Sequence, residues 1–174
     1  GWLLYGTGIT TSAYQHQEKP AFVKVVNSKP ISQAPAPGYA PLRGSAYAEI
    51  IIPRINIDFI VVQGTDEDSL KEGPGHYPET ANPWDATGRV GIAGHRTTYL
   101  HPFYNLNELQ VGDPISLRTE YGTFDYQVTR VFVVPEGGSG FVLDQTQQPT
   151  LVLTTCNPRY SSYQRLIVTA DRVA

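Results

Sequence analysis

From residue 45 onward the apolar residues of this chain come in short runs, and glycine or proline cuts each run before it can grow into a long element. In the segment 55–62, Ile55, Ile57, Phe59 and Val61 stand two apart. That spacing puts all four side chains on one face only if the backbone is extended. No stretch carries the 3.6-residue period of a long amphipathic helix, and there is no internal repeat. The 16 glycines and 14 prolines supply the turns such a chain needs. The 11 tyrosines supply side chains suited to half-buried strands.

The pattern predicts strands over 47–52, 55–62, 89–95, 115–118, 123–134, 150–155 and 165–170. One or two helical turns are expected over 66–72, stopped by Gly73-Pro74-Gly75, and a short helix over 103–109. Glu120-Tyr121-Gly122 reads as the turn of a hairpin. The connection 135–149 is long for a compact domain, which marks it as functional or mobile. About eight short strands with few helices predict a mainly β fold, a closed or nearly closed eight-stranded barrel. Ahead of it, 10–19 is polar and compatible with helix, and 21–26 with strand or a helix end. Pro30, Pro35, Pro37 and Pro41 make 27–44 an extended linker. The expected division is therefore an N-terminal extension, 1–44, and a compact domain, 45–174.

Charge and cysteine content exclude several classes. A formal charge of −3 lacks the basic excess of a nucleic-acid binder. One cysteine permits no internal disulfide and no cysteine-rich zinc site. The chain lacks methionine even at position 1, so it is expected to be a processed or excised portion of a longer one. The apolar start, Gly1-Trp2-Leu3-Leu4-Tyr5, is far shorter than the 18 or more residues of a membrane span.

Strand parity singles out three side chains. In 89–95, Val90 and Ile92 take one face and Gly91, Ala93 and His95 the other. In 150–156, Leu151 and Leu153 oppose Val152, Thr154 and Cys156. In 163–170, Leu166, Val168 and Ala170 oppose Tyr163, Arg165, Ile167 and Thr169. His95, Cys156 and Arg165 thus lie on the smaller or more polar faces, where they converge if the three strands share a sheet. Their chemistry is complementary. A thiolate is the competent cysteine nucleophile, and a nearby cation lowers its pKa. Histidine can give a proton to a departing amine and take one from an incoming amine. The arginine fork can hold an oxyanion or a substrate carbonyl. Together they describe acyl transfer through a thioester.

The residues around these positions are similar to a known family. Leu151-Val152-Leu153-Thr154-Thr155-Cys156 resembles the TLxTC signature of sortases. Tyr163-Gln164-Arg165-Leu166-Ile167-Val168 resembles the sortase arginine strand, and Ala93-Gly94-His95-Arg96-Thr97 the histidine segment. The resemblance covers about 45–172, with the three motifs in family order. It implies an eight-stranded sortase barrel and a cysteine transpeptidase that cleaves a C-terminal LPxTG-type signal between Thr and Gly. Cys156 is then the nucleophile, His95 the proton donor and acceptor, and Arg165 the oxyanion or substrate clamp.

Gly73-Pro74-Gly75-His76-Tyr77-Pro78, Gly94-His95-Arg96-Thr97-Thr98-Tyr99 and Thr154-Thr155-Cys156-Asn157-Pro158-Arg159-Tyr160-Ser161 resemble class E, the housekeeping sortases of high-GC Gram-positive bacteria, which prefer LAxTG. Tyr77 takes the place of a class-marking tyrosine. Asn82-Pro83-Trp84-Asp85 departs from the usual turn before the histidine strand. Substrate-contacting candidates are Tyr77, Thr155 and, around 135–149, Val134, Phe141 and Leu143. His76 and His101 are expected to lie outside the chemistry.

The implied partners are surface proteins bearing a sorting signal and an amine of a cell-wall precursor or another protein. The implied place is the cell membrane, through a segment of which 1–8 is the end, with the catalytic domain outside the cytoplasm. No cofactor is implied. The 135–149 loop offers only Glu136 and Asp144 as calcium ligands, so no calcium requirement is expected. The alternatives are a pilin-polymerising sortase, whose usual Asp-Pro-aromatic lid motif does not precede residue 45, a non-catalytic β-barrel binding module, and a metal site on Cys156 with His95 and another histidine.

Overall fold

The computed structural model describes residues 2–28, 35, 41–96, 100–137, 143–157 and 163–173. Eight strands close into a barrel: β1 (Ala46–Ile52), β2 (Ile57–Gln63), β3 (Gly75–His76), β4 (Arg89–Ala93), β5 (Pro114–Thr119), β6 (Gly122–Pro135), β7 (Thr150–Asn157) and β8 (Gln164–Arg172). Around the barrel they run β1-β2-β3-β4-β7-β8-β6-β5. The order places β7 between β4 and β8, parallel to the first and antiparallel to the second. The expected mainly β barrel is the fold observed.

The interior is built from the parities read above. Val90 and Ile92 of β4, Leu151 and Leu153 of β7, and Leu166, Val168 and Ala170 of β8 all enter one buried cluster with Ile50, Ile52, Ile115, Leu117 and Tyr126. Each fully buried Leu or Ile contributes roughly 1.5–3 kcal/mol, so this alternation outweighs any local preference. The opposite face of β7 and β8 is the one that carries Cys156 and Arg165.

Four local details differ from the pattern. The strand expected from residue 55 starts at Ile57, because Pro53–Ile55 forms a 3-10 turn closed by Asn56 at φ 54. Pro53 fixes φ and lacks an N–H, and asparagine tolerates the left-handed conformation. The 103–109 helix is only a 3-10 turn, Leu106–Glu108. The strand expected to reach His95 ends at Ala93, leaving the histidine two residues into the next loop. The two-residue β3 lies just where Gly73-Pro74-Gly75 reads as a stop; two residues are too few to show a period. The short helix α2 (Glu67–Glu72) forms where expected, with the Asp66 side chain accepting from the Ser69 N–H at its start.

A longer helix, α1 (Trp2–Asn27), replaces the shorter polar helix expected over 10–19, and it runs through Pro20. An interior proline costs about 3 kcal/mol or more. Docking offsets that cost. Phe22 is buried, Gln15 accepts from Ile60 N at 2.7 Å and donates to Ile60 O and Glu72 O at 3.0 Å, and Lys19 donates to Asp58 O at 2.9 Å. Strand β2 meets β3 only at Val62 and Gln63, and α1 lies along the remainder of that side. Most of the 27–44 linker falls outside the described residues. No helix among the described residues is long and apolar enough to cross a membrane.

Candidate active site

Cys156 and Arg165 are paired across the β7–β8 ladder. Directly opposed side chains in an antiparallel pair share a face with Cβ atoms about 4.5–5.5 Å apart. On the other flank of β7, the β4 ladder ends at Ala93 opposite Thr154, followed by a bond from Gly94 N to Thr154 O at 3.1 Å. His95 is the next residue. One cleft of about 190 Å³ is lined by His95, Cys156 and Arg165 with Leu70, Tyr77, Ala93, Gly94, Thr154 and Thr155. Five of the sequence candidates therefore meet in one place.

The histidine loop is pinned. Phe103 N donates to His95 O at 3.1 Å, and the Phe103 ring packs so tightly on Gly94 that an added Cβ would sit 2.6 Å from it. Only glycine fits there. The Thr155 hydroxyl donates to Gly94 O at 2.7 Å and is buried. Thr155 thus lines the cleft while its hydroxyl ties the cysteine strand to the histidine loop. Arg96, also buried, donates from Nε to Tyr104 O at 2.8 Å, from Nη1 to Cys156 O at 2.7 Å, and from Nη2 to Asn107 Oδ1 at 3.0 Å.

The Arg165 guanidinium donates to the Gln164 carbonyl at 3.0 Å and lies 3.6 Å from a Glu136 carboxylate oxygen. Glu136 stands at the start of the long 135–149 connection, so that loop touches the cleft through a charge. His95 is half-buried, and desolvation of the imidazolium holds its pKa below the ordinary value of 6.5. Its neutral form therefore dominates at pH 7, ready to accept a proton.

Tyr77 hydrogen-bonds through its hydroxyl to Thr154 Oγ1 at 2.9 Å, and burial keeps its phenol neutral. Around Gly91, an added Cβ would meet Tyr77 at 2.9 Å and Leu143 at 3.2 Å, so those two side chains flank the same small gap. The outward-facing Val134, Val152 and Ile167 form a second apolar cluster, with Phe132 and Leu143 packed on it. The cluster continues from the catalytic row: Val134 pairs with Arg165, and Ile167 with Thr154. Val134 and Leu143 thus lie beside the cleft rather than among its lining residues, and Phe141 lies outside the described residues.

Leu70 and Arg96 were not among the candidates. Leu70 sits on a six-residue helix too short to show which face it buries, and Arg96 reads as an ordinary charge after a histidine.

The other histidines are committed elsewhere. His76 stacks on Tyr47 with ring centroids 4.3 Å apart and bonds to Gln63 Oε1 at 2.7 Å and Ala81 O at 2.9 Å. Burial lowers its pKa to about 4, so it stays neutral. His101 packs on Tyr104 along a different cleft. The 82–85 turn also faces away, with Trp84 against Tyr47 and Tyr121. No group of three or more His, Cys, Asp or Glu positioned to hold a metal occurs among the described residues.

Comparison with known proteins gives a consistent answer. A family model described as "Sortase domain" matches residues 50–173. Among curated proteins, the chain is 35% identical over 120 residues to "Sortase D" of Bacillus subtilis, covering 69% of this chain and 59% of that protein. It is 32% identical over 139 residues to "Sortase SrtE1" of Streptomyces coelicolor, covering 72% and 40%. The chain thus spans roughly half the length of these relatives. Among solved structures, Sortase E1 from Streptomyces coelicolor with a tripeptide in the active site superposes with a TM-score of 0.68 at 32% identity, covering 75% of this chain and 90% of that one. A lid mutant of Sortase A from Corynebacterium diphtheriae gives 0.71 at 31% identity, covering 77% and 73%.

Proposed function

This chain belongs to the sortase family, and from that premise we propose that it is a cysteine transpeptidase acting on a C-terminal LAxTG- or LPxTG-type signal. The observation that carries the reading is the pairing of Cys156 with Arg165 beside the loop that holds His95, all on one cleft. The Cys156 thiolate attacks the Thr carbonyl of the Thr–Gly bond. Arg165 stabilises the oxyanion with a fixed cationic fork. His95, having taken the thiol proton, gives it to the departing glycine amine, leaving a thioester. An incoming amine gives a proton to the neutral His95 and attacks the thioester, and the thiolate leaves. Effective molarities of about 10⁵ M or more from positioning favour the bound amine over water.

The apolar patch of Val134, Val152, Ile167 and Leu143 beside the cleft supports a site for the signal's leucine, with Phe141 proposed from its place in the same loop. Thr155 is assigned to the same groove through its backbone. The likeness to Sortase E1, with Tyr77 on the cleft wall, supports a class E reading and a preference for alanine over proline in the signal. We place the enzyme at the cell membrane with its catalytic domain outside the cytoplasm. Its partners there are signal-bearing surface proteins and an amine of a cell-wall precursor or another protein.

The test is mass spectrometry of the chain mixed with an LAxTG peptide, an LPxTG peptide and a short glycine amine, with Cys156→Ala as control. A thioester on Cys156 and a Thr–amine product, stronger with LAxTG, is expected. A thioester with LPxTG alone keeps the family chemistry and discards the class. No adduct from either peptide on a reactive thiol overturns the signal assignment.

A further inference from the structure

The hydrogen bonds between the histidine loop and the cysteine strand follow an order that backbone geometry explains. In a parallel ladder where Ala93 stands opposite Thr154 and Gly94 N donates to Thr154 O, the next two rungs run from Cys156 N to Gly94 O and from Arg96 N to Cys156 O. The ladder pairing stops at Ala93, yet both acceptors are still satisfied. Gly94 O receives the Thr155 hydroxyl at 2.7 Å, and Cys156 O receives Arg96 Nη1 at 2.7 Å. Two side chains stand where two backbone N–H groups would have been. A side-chain donor is longer than a peptide N–H, so these two bonds let the segment after β4 stand farther from β7 than a ladder rung would.

We propose that Arg96 is a positioning residue that sets the spacing between His95 and Cys156. Its planar fork makes three bonds in three directions: to the Cys156 carbonyl, to the Tyr104 carbonyl and to Asn107. The last two lie in the turn whose Phe103 N–H holds the His95 carbonyl. Arg96 thus locks the nucleophile's peptide and the far end of the histidine loop into one frame. Lysine has charge but no fork, and can span only one of the three acceptors at a time.

The inference rests on the assignment of Cys156 and His95, and its test separates the two. The variants are Arg96→Ala, Arg96→Lys and Asn107→Ala, the last at an exposed position that removes one anchor of the fork. Two properties are read on folded protein: the rate of Cys156 alkylation by iodoacetamide at one pH, and kcat and KM on the sorting peptide. In Arg96→Ala the alkylation rate falls, and kcat falls about 10- to 100-fold with KM within about threefold, as for a lost positioning contact. Arg96→Lys recovers little of kcat. Asn107→Ala lowers kcat a few-fold. A lower melting temperature with unchanged kcat and alkylation rate overturns the proposal, leaving Arg96 as scaffold. If Arg96→Ala does not fold, wild-type kcat in both Arg96→Lys and Asn107→Ala overturns it equally. If the unmodified chain turns over no peptide, the transpeptidase reading fails; a lower Cys156 alkylation rate in Arg96→Ala then still supports the positioning role, and an unchanged rate overturns it.

Discussion

Cys156 and Arg165 are one cross-strand pair of the β7–β8 ladder. The relationship is rigid in a way that loop-borne residues are not. Sliding β8 by a single residue would turn Arg165 to the barrel interior and bring a leucine out. The buried run Leu166–Val168–Ala170 resists that slip, so core packing itself holds the guanidinium beside the thiol.

Replacing Cys156 with alanine is expected to abolish the peptide thioester and leave the fold intact. The side chain is partly exposed and outside both apolar clusters, so stability should change by no more than about 0.5 kcal/mol. Residual turnover in a melting-matched sample would remove Cys156 as the nucleophile.

Arg165→Lys should lose most activity, about 10²- to 10³-fold in kcat, the usual cost of removing a transition-state oxyanion donor. Steady-state rates with saturating peptide provide the check. Near-normal turnover would reduce Arg165 to a generic charge.

Gly91→Ala places a methyl 2.9 Å from Tyr77 and 3.2 Å from Leu143. Either side chain must move, and both flank the proposed signal groove. We expect KM for the peptide to rise at least several-fold while iodoacetamide still alkylates Cys156 at the parent rate. An unchanged KM would separate that gap from substrate binding.

A fourth prediction concerns stability. Glu49 is buried on β1, 3.0 Å from Arg118, with Asp58 beside it and Lys19 of α1 nearby. Burial first, then the Asp58 carboxylate, push its pKa up to about 7, against the pull of the Arg118 and Lys19 charges. A carboxyl that binds its proton more tightly when folded stabilises the fold at low pH. That contribution is present below the unfolded carboxyl pKa and is lost as pH rises through 7. Between pH 5.5 and 8 the chain should lose on the order of 1–3 kcal/mol that Glu49→Gln does not lose. Melting curves of both proteins across that range are the measurement. Parallel pH dependence in the two would refute the assignment.

Much of this architecture was readable in the chain because one-sided burial leaves a period of two. Val90 and Ile92, Leu151 and Leu153, and Leu166 and Val168 marked the interior. By exclusion they put Cys156 and Arg165 on the face they occupy. Position 95 escaped the strand but not the cleft, since the loop leaves β4 next to β7. What stayed hidden depends on reach rather than period. The Arg96 guanidinium finds a carbonyl sixty residues away in the chain. The β3 strand has two residues. The helix crosses Pro20 because Gln15, Lys19 and Phe22 hold it from outside.

The contact of Gln15 with both backbone groups of Ile60 bears on how the protein should be handled. Those groups, with the Asp58 carbonyl held by Lys19, belong to a flank of β2 that no neighbouring strand satisfies among the described residues. A catalytic fragment trimmed to begin at residue 45 would carry that flank bare, with unpaired N–H and C=O groups ready to template another chain. Shortening at the apparent linker would then produce a self-associating, poorly soluble protein, with α1 serving as the built-in guard against it.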